Sequence, residues 1–268
     1  MTSLELVGTT AIVTGASKGI GYAIADLLMA HGADVAITSR HDEELKGAAD
    51  ALTAAHPDRR ALPVVADVGQ ADDIDTLFAA TAAELGSAAI VVNNAGNSTL
   101  DLIENLPEHD WDSVLTTHLK GTYLASKAAI RQMRTAGLHG SIINLGSVET
   151  FATTRGNAHY SAAKAGIDKF TEVAALEAGR HGIRVNAVAP GATATPLSRS
   201  ASTPDFDAAW ERSFVVKRWG DPLDIAQAVV FLSSNYASWI TGITLLVDGG
   251  SHLRGLPDYA DYLIPESP

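Results

Sequence analysis

The chain has 268 residues, 46% of them hydrophobic, with no run of the roughly 18 apolar residues that a membrane span requires, so it reads as a soluble globular protein with ample material for a core. Cysteine is absent, which excludes disulfides, thiol chemistry and thiolate metal sites. Nineteen basic against thirty-one acidic residues give a formal charge of −12, which would repel nucleic acid, anionic lipid and acidic carrier proteins and leaves a small molecule as the expected partner.

Met1 to Leu6 lack the basic start and apolar centre of a secretory signal, and with the absent cysteines this fits a cytoplasmic protein. Short β-branched or apolar runs then alternate with longer alanine-rich stretches. The runs are Ala11 to Thr14, Val35 to Thr38, Ala61 to Val65, Ile90 to Asn93, Ser141 to Asn144, Arg184 to Val188 and Ile243 to Val247. Such alternation predicts parallel strands joined by helical crossovers: an α/β, doubly wound, Rossmann-like sheet of about seven strands with helices on both faces. A single domain covering 1–268 is expected, since α/β folds reach this length as one unit. Gly32 is placed to close the first helix, after Tyr22 to His31, with a left-handed cap. The stretch 193–214, with Pro196 and Pro204 among serines and threonines, departs from the regular pattern and suits a substrate loop or lid. The C-terminal extension 251–268 has no place assigned by pattern.

The first strand runs into Thr14-Gly15-Ala16-Ser17-Lys18-Gly19-Ile20-Gly21. Glycines there allow a tight turn, and the start of the following helix offers unpaired amides and a positive dipole end to a pyrophosphate. The spacing is a variant of the dinucleotide fingerprint. At the end of the second strand, where a carboxylate would hold the ribose hydroxyls of NAD, stand Ser39 and Arg40. Arg40 offers a planar fork to a 2′-phosphate and Lys18 a second positive charge, so NADP is the expected cofactor and NAD the less favoured one. Asp67 and Val68 follow the third strand and suit an adenine edge, although Asp67 would also serve to cap the helix that begins near Ala71.

Tyr160 and Lys164 lie four residues apart, with Ser147 upstream. On a helix from about Ala158 to Gly179 the tyrosine and lysine project from one face, about 40° and one turn apart. Bringing a phenol from its ordinary pKa of about 10 to neutrality takes about 4 kcal/mol of phenolate stabilisation, and a nearby lysine cation, helped by an oxidised nicotinamide, is expected to supply much of it. Tyr160 would then exchange protons at physiological pH. The nine histidines show no pair at metal-ligand spacing with a third ligand, so no metal site is expected.

With Asn93-Asn94-Ala95-Gly96 after the fourth strand, Arg184 to Gly191, Thr195, and Thr241 to Gly250 added to these motifs, the sequence resembles the short-chain dehydrogenase/reductase family from about residue 6 to residue 250. The resemblance implies that Tyr160 exchanges the proton with a carbonyl or alcohol, that Ser147 orients the substrate oxygen, and that Lys164 lowers the tyrosine pKa and holds the nicotinamide ribose. It also implies that Asn94, Ala95 and Gly96 line the cofactor, and that Pro190, Gly191, Thr193 and Thr195 hold the carboxamide side of the nicotinamide. His118 stands where the family usually has an asparagine that binds a water linked to the lysine. A neutral imidazole both donates and accepts, so His118 either keeps this relay and makes it pH dependent, or is a satisfied buried histidine with no part in turnover.

Relatives that reduce carrier-bound substrates tend to present arginines where this chain has Leu138 and Leu176, which favours a free ketone, aldehyde or alcohol. A 3-oxoacyl thioester or a sugar or polyol remains an alternative substrate, and a nucleotide-sensing regulatory protein the non-enzymatic one. Glu149, Phe151 and Leu197 are expected to reach the substrate pocket. By analogy the chain forms a homotetramer or homodimer through the helices around 111–135 and 160–178, and its extension after Gly250 reaches towards a neighbour's cleft.

Overall fold

The structure, a computed structural model, describes residues 6–200 and 202–263; Met1 to Glu5, where no secretory signal is expected, Ala201 and the last five residues of the extension lie outside them. Seven strands, β1 (Thr10–Thr14), β2 (Asp34–Ser39), β3 (Ala61–Val65), β4 (Ile90–Asn93), β5 (Ser141–Leu145), β6 (Arg184–Pro190) and β7 (Thr244–Val247), form one parallel sheet in the order β3-β2-β1-β4-β5-β6-β7. Each predicted strand is present within one or two residues of its expected ends. Pro63 sits in the edge strand β3, where its missing N–H costs no central ladder bond.

Strand alternation sorts the apolar side chains into two layers. Ala11, Val13, Val35, Ile37, Val92 and Ile143 face α1 (Gly19–Ala30), α2 (Asp42–Ala55) and α9 (Pro222–Ser233), whose Ile24, Leu28, Leu45, Leu52, Ile225 and Val229 complete that core. Ile12, Ala36, Val91, Ile142 and Val185 face the other way, onto Leu77 of α3 (Ala71–Glu84), Met133 of α5 (Gly121–Ala136) and Ala175 of α6 (Ala158–Ala178). Burial on both faces is why the strands read as nearly continuous apolar runs. The chain leaves β3 on one side of β1 and re-enters the sheet as β4 on the other, so a crevice opens at the carboxyl ends of β1 and β4, where ligands of such sheets bind.

Gly32 has φ of +101°, as expected of its left-handed turn after α1. α4 (Glu108–Leu115) passes into α5 through a π-helical turn, Thr116–Lys120, and the extra residue re-aims His118 inward, where it is 3% exposed. The irregular stretch 193–214 contains α7 (Pro196–Ser200) and α8 (Pro204–Ser213). Phe206, Trp210 and Phe214 form a small third core with Trp219, Leu256, Tyr259 and Tyr262. Tyr259 begins α10 (Tyr259–Leu263), and the described part of the C-terminal extension packs on its own chain. Thr154 Oγ1 donates to Pro257 O at 2.8 Å, and Arg155 pairs with Asp258 and Asp261. The aromatic rings account for this course, because the segment buries Tyr259 and Tyr262 against α8.

Candidate active site

The carboxyl ends of β1, β2, β4, β5 and β6 open into one cleft of about 820 Å³. At one end is the glycine turn. Gly15 and Gly19 have φ of +64° and +59°, a conformation that a side chain disfavours. A Cβ on Gly15 would lie 2.7 Å from Ala95 Cα, and one on Gly21 would collide with the Asn94 amide and Gly15 O, so these two glycines also admit the loop after β4. Thr14 Oγ1 accepts from the N–H groups of Asn94 and Ala95 at 3.0 and 3.1 Å, and Asn94 Nδ2 donates to Thr14 O and Gly15 O. Asn94 thus braces the turn. A Cβ on Gly19 would meet Thr195 at 3.5 Å, an ordinary packing distance, so at Gly19 the backbone conformation rather than crowding favours glycine.

These residues fit a dinucleotide. α1 starts with no side-chain cap and no acidic residue in its first turn, so its leading amides are left to an anion, and Gly15, Ser17, Lys18, Gly19, Ile20 and Gly21 all line the cleft. Ser39 and Arg40 line it at the end of β2, joined by Thr38, His41 and Glu44, which the sequence reading did not single out. Lys18 is paired with Glu44 at 2.9 Å, an exposed pair, so the second positive charge expected beside Arg40 is shared with a carboxylate. Asp67 and Val68 are also in the lining. Asp67 Oδ1 accepts from Gly69 N at 2.9 Å in a tight turn, and Gln70, not Asp67, stands at the cap of α3. Across the cleft, Pro190 ends β6 and Gly191, Thr193 and Thr195 follow it. Ser198 knits this loop, donating to Thr193 O at 2.6 Å and accepting from Thr195 N at 3.0 Å.

At the other end stand Ser147, just past β5, and Tyr160 and Lys164 on α6. The Lys164 Nζ lies 5.4 Å from the Tyr160 ring centroid and donates to Leu145 O at 2.6 Å. Burial lowers the Lys164 pKa to about 8, although Asp168 and Glu149 pull it upward. Burial also pushes Tyr160 well above the ordinary phenol range; the Glu149 charge adds to this and the Ser147 hydroxyl opposes it. The expected depression of the tyrosine by its lysine is therefore absent from the protein by itself. Desolvation and a nearby carboxylate outweigh an ammonium that is itself buried and engaged by a carbonyl.

His118 lies with its ring at 5.2 Å, edge-on, to that of Tyr160. Its Nε2 is 2.7 Å from Asn97 O and 3.1 Å from Asn97 N, whereas its buried Nδ1 has no partner. Burial, reinforced by Lys164, lowers its pKa to about 3. Burial thus favours the neutral imidazole, and with Nδ1 unpaired the ring is only half satisfied. Gly96 is required here, since a Cβ would run into the His118 ring.

Of the three expected substrate residues, Glu149 and Leu197 line the cleft and Phe151 does not: the residue is 49% exposed. A three-residue 3₁₀ turn, Val148–Thr150, turns Glu149 inward and leaves Phe151 outside. Phe206, Trp210, Trp219 and Tyr259 supply an aromatic wall that the sequence reading missed. The aromatic content of 205–219 was a visible signal, but only the packing of α8 and the extension brings it to the site. Among the described residues no group of three His, Cys, Asp or Glu is arranged to hold a metal, and no helix is long and apolar enough to cross a membrane.

A family model described as Enoyl-(Acyl carrier protein) reductase matches residues 15–252. The 3-oxoacyl-(acyl-carrier-protein) reductase FabG of Chlamydia muridarum is 39% identical over 245 residues, 91% of this chain and 98% of the relative. The 3beta-hydroxysteroid dehydrogenase 1 of Eggerthella lenta is 38% identical, over 93% of this chain and 95% of its own length. Among solved structures, a short-chain type dehydrogenase/reductase from Mycobacterium ulcerans superposes with a TM-score of 0.93 at 29% identity, covering 98% of this chain and 96% of that one. A second, from Mycobacterium marinum, gives 0.88 at 32% identity, over 93% and 97%.

Proposed function

We infer that this chain, which belongs to the short-chain dehydrogenase/reductase family of oxidoreductases, is an NADP-dependent reductase of uncharged ketones or aldehydes, running in reverse on secondary alcohols. The observation that carries this reading is the convergence of Ser147, Tyr160 and Lys164 in a cleft whose far end holds an uncapped helix start and Arg40. The ends of β2 and β5 are three strand spacings apart, roughly 14 Å, a span suited to an extended dinucleotide.

The bound nicotinamide supplies the hydride. Ser147 holds the substrate oxygen, and Tyr160 gives it a proton in reduction and removes one in oxidation. Lys164, with an amine that titrates near pH 8, holds the ribose as a cation and counters the phenolate. His118 offers the unpaired Nδ1 to a water behind the lysine, the place usually filled by asparagine. Arg40, which lines the cleft, would meet the 2′-phosphate of NADP, and Lys18, paired with Glu44, would be shared with it.

Two features favour a free apolar carbonyl compound. The substrate end has the aromatic wall, and the cleft-lining lysines and arginines among the described residues are Lys18 and Arg40 at the far end and Lys164 at the catalytic one, which leaves no free cation for a charged substrate tail. Leu176, 84% exposed, presents no charge to an acidic carrier. The relatives named for 3-oxoacyl carrier-protein reduction support a thioester as the second reading. Exposed Trp111, Tyr123, Val173 and Leu176 on α4, α5 and α6 support assembly into a homotetramer or homodimer.

NADPH and NADH oxidation against a panel of ketones, aldehydes and acyl thioesters, with Tyr160→Phe beside the wild type, tests the reading. NADPH-dependent turnover on a free ketone, reduced at least a thousandfold by Tyr160→Phe while NADPH still binds, is the expected result. Preference for NADH overturns the cofactor assignment, and tight binding without turnover on any substrate points instead to a nucleotide sensor.

A further inference from the structure

Glu149 is a carboxylate 6% exposed inside the cleft, two residues beyond Ser147, and the mechanism above gives it no task. Its neighbours come from three parts of the chain: the turn after β5, the start of α6 and the extension. Its own N–H donates to Ser147 Oγ at 3.2 Å, its Oε2 accepts from Ser161 Oγ at 2.7 Å, and Asn157 Nδ2 donates to both oxygens at 3.0 and 3.2 Å. Tyr259, arriving on the C-terminal extension, donates its hydroxyl to Oε1 at 3.1 Å. Ser161 lies between Tyr160 and Lys164 in sequence, so the side chain of Glu149 bonds the start of α6, which carries Tyr160 and Lys164, to the extension, while its backbone N–H bonds Ser147.

A carboxyl in such a place costs several kcal/mol to desolvate, and three donors only partly offset this. Plain packing would be served as well by a glutamine or an apolar residue. The charge therefore invites a role, and the direction of its effect is clear. The titratable and charged groups that face it are Tyr160 and Lys164 from α6 and Tyr259 from the extension, while α8 brings only Phe206 and Trp210 to the same wall.

We propose that Glu149 is a positioning residue: its side chain ties the C-terminal extension to the start of α6, and its charge opposes that of a phenolate at Tyr160 on the same helix. The proposal rests on Tyr160 being the proton-transfer group inferred above. Its negative charge opposes a second negative charge on the phenol, and burial, the larger contribution, opposes it in the same sense. The carboxyl is itself pushed above its ordinary range by burial, against the three hydrogen-bond donors and Lys164. The Tyr259 bond helps hold it ionised, so seating of the extension and the proton affinity of the catalytic tyrosine are linked.

The test is a pH titration of the full-length protein labelled with carbon-13 at tyrosine Cζ, with Tyr160→Phe identifying the Tyr160 signal. Glu149→Gln keeps an acceptor for Tyr259 and removes the charge. The expected result is a downward shift of the Tyr160 transition, a matching downward shift in the rising limb of kcat/KM against pH for alcohol oxidation, and unchanged hydrogen exchange in 256–263. A Tyr160 transition at the wild-type pH overturns the proposal. Because the titration needs no turnover, an inactive wild type would count against the reductase reading while leaving this result intact. Should Glu149→Gln fail to fold, glutamate Cδ signals of the wild type and Tyr259→Phe decide. One glutamate should titrate above the ordinary range and move higher in Tyr259→Phe, with exchange in 256–263 at least tenfold faster; no such glutamate overturns the proposal.

Discussion

The two ends of the cleft are built by different means. The cofactor end is made of turns that leave β1, β4 and β6, and its interactions are largely those of backbone: an open helix start, glycines with positive φ, and Asn94 bracing carbonyls. The substrate end is made of side chains from segments distant in sequence: Ser147 after β5, Tyr160 on α6, Phe206 and Trp210 on α8, and Tyr259 on the extension. Backbone geometry leaves a local mark in the sequence because few residues can adopt it. A wall of side chains leaves none, because any aromatic residue brought to that place would serve.

The contrast can be tested from its strongest point outward. Lys164→Met should lower kcat by about a hundredfold or more, since it removes the cation beside the phenol. Its melting temperature should be equal to or above that of the wild type. A pKa brought from 10.5 to about 8 by burial means that the folded protein disfavours the charged amine by about 3 kcal/mol, and methionine removes that term. The sign follows from linkage. Between pH 8 and 10 the unfolded lysine holds its proton while the folded one has released it, so this group makes the wild type more stable as pH rises, and Lys164→Met should lack that rise. Chemical denaturation at pH 7, 8 and 9 would show it; a variant clearly less stable than the wild type at pH 7 would contradict the burial argument.

At the substrate end, Trp210→Ala should cost about 3 to 5 kcal/mol of local or global stability, because Trp210 is 4% exposed and packs on Phe206, Phe214, Trp219 and Tyr259. Its KM for an apolar ketone should rise far more than its Kd for NADPH. Equal losses in both would show that the two ends are not separable. At the cofactor end the effects are smaller and confined to the phosphate. Arg40→Ala should weaken NADPH about ten- to a hundredfold, the worth of one charge-assisted contact, and leave NADH unchanged. Lys18→Ala should weaken NADPH only a fewfold, since the ammonium is exposed and already paired with Glu44. Isothermal titration with both nucleotides checks the order, and a Lys18 effect larger than that of Arg40 would reverse it.

Much of this molecule was legible in its sequence for physical reasons. The central strands β1, β4 and β5, buried on both faces, must be apolar without interruption and the partly buried edge strands β3 and β7 are apolar as well, so all seven were visible as runs, and the glycines after β1 mark a turn that other residues would strain or obstruct. The spacing of Tyr160 and Lys164 places both on one face of α6 whatever surrounds it. What the sequence could not show was environment. Whether the phenol is lowered by its lysine or raised by burial and Glu149 depends on which groups are desolvated together, and in the protein without its nucleotide burial and Glu149 push it upward. The ionisation of His118 was open for the same reason, and burial resolves it as neutral. Phe151 was expected in the pocket by proximity to Ser147, but one 3₁₀ turn sends it to solvent and Glu149 to the cleft. The course of the extension was decided by the burial of Tyr259 and Tyr262 on α8, a contact spanning some fifty residues. Local sequence determines what each segment can be, through sterics and periodicity, whereas charge state and pocket shape are sums over neighbours that only the folded chain brings together.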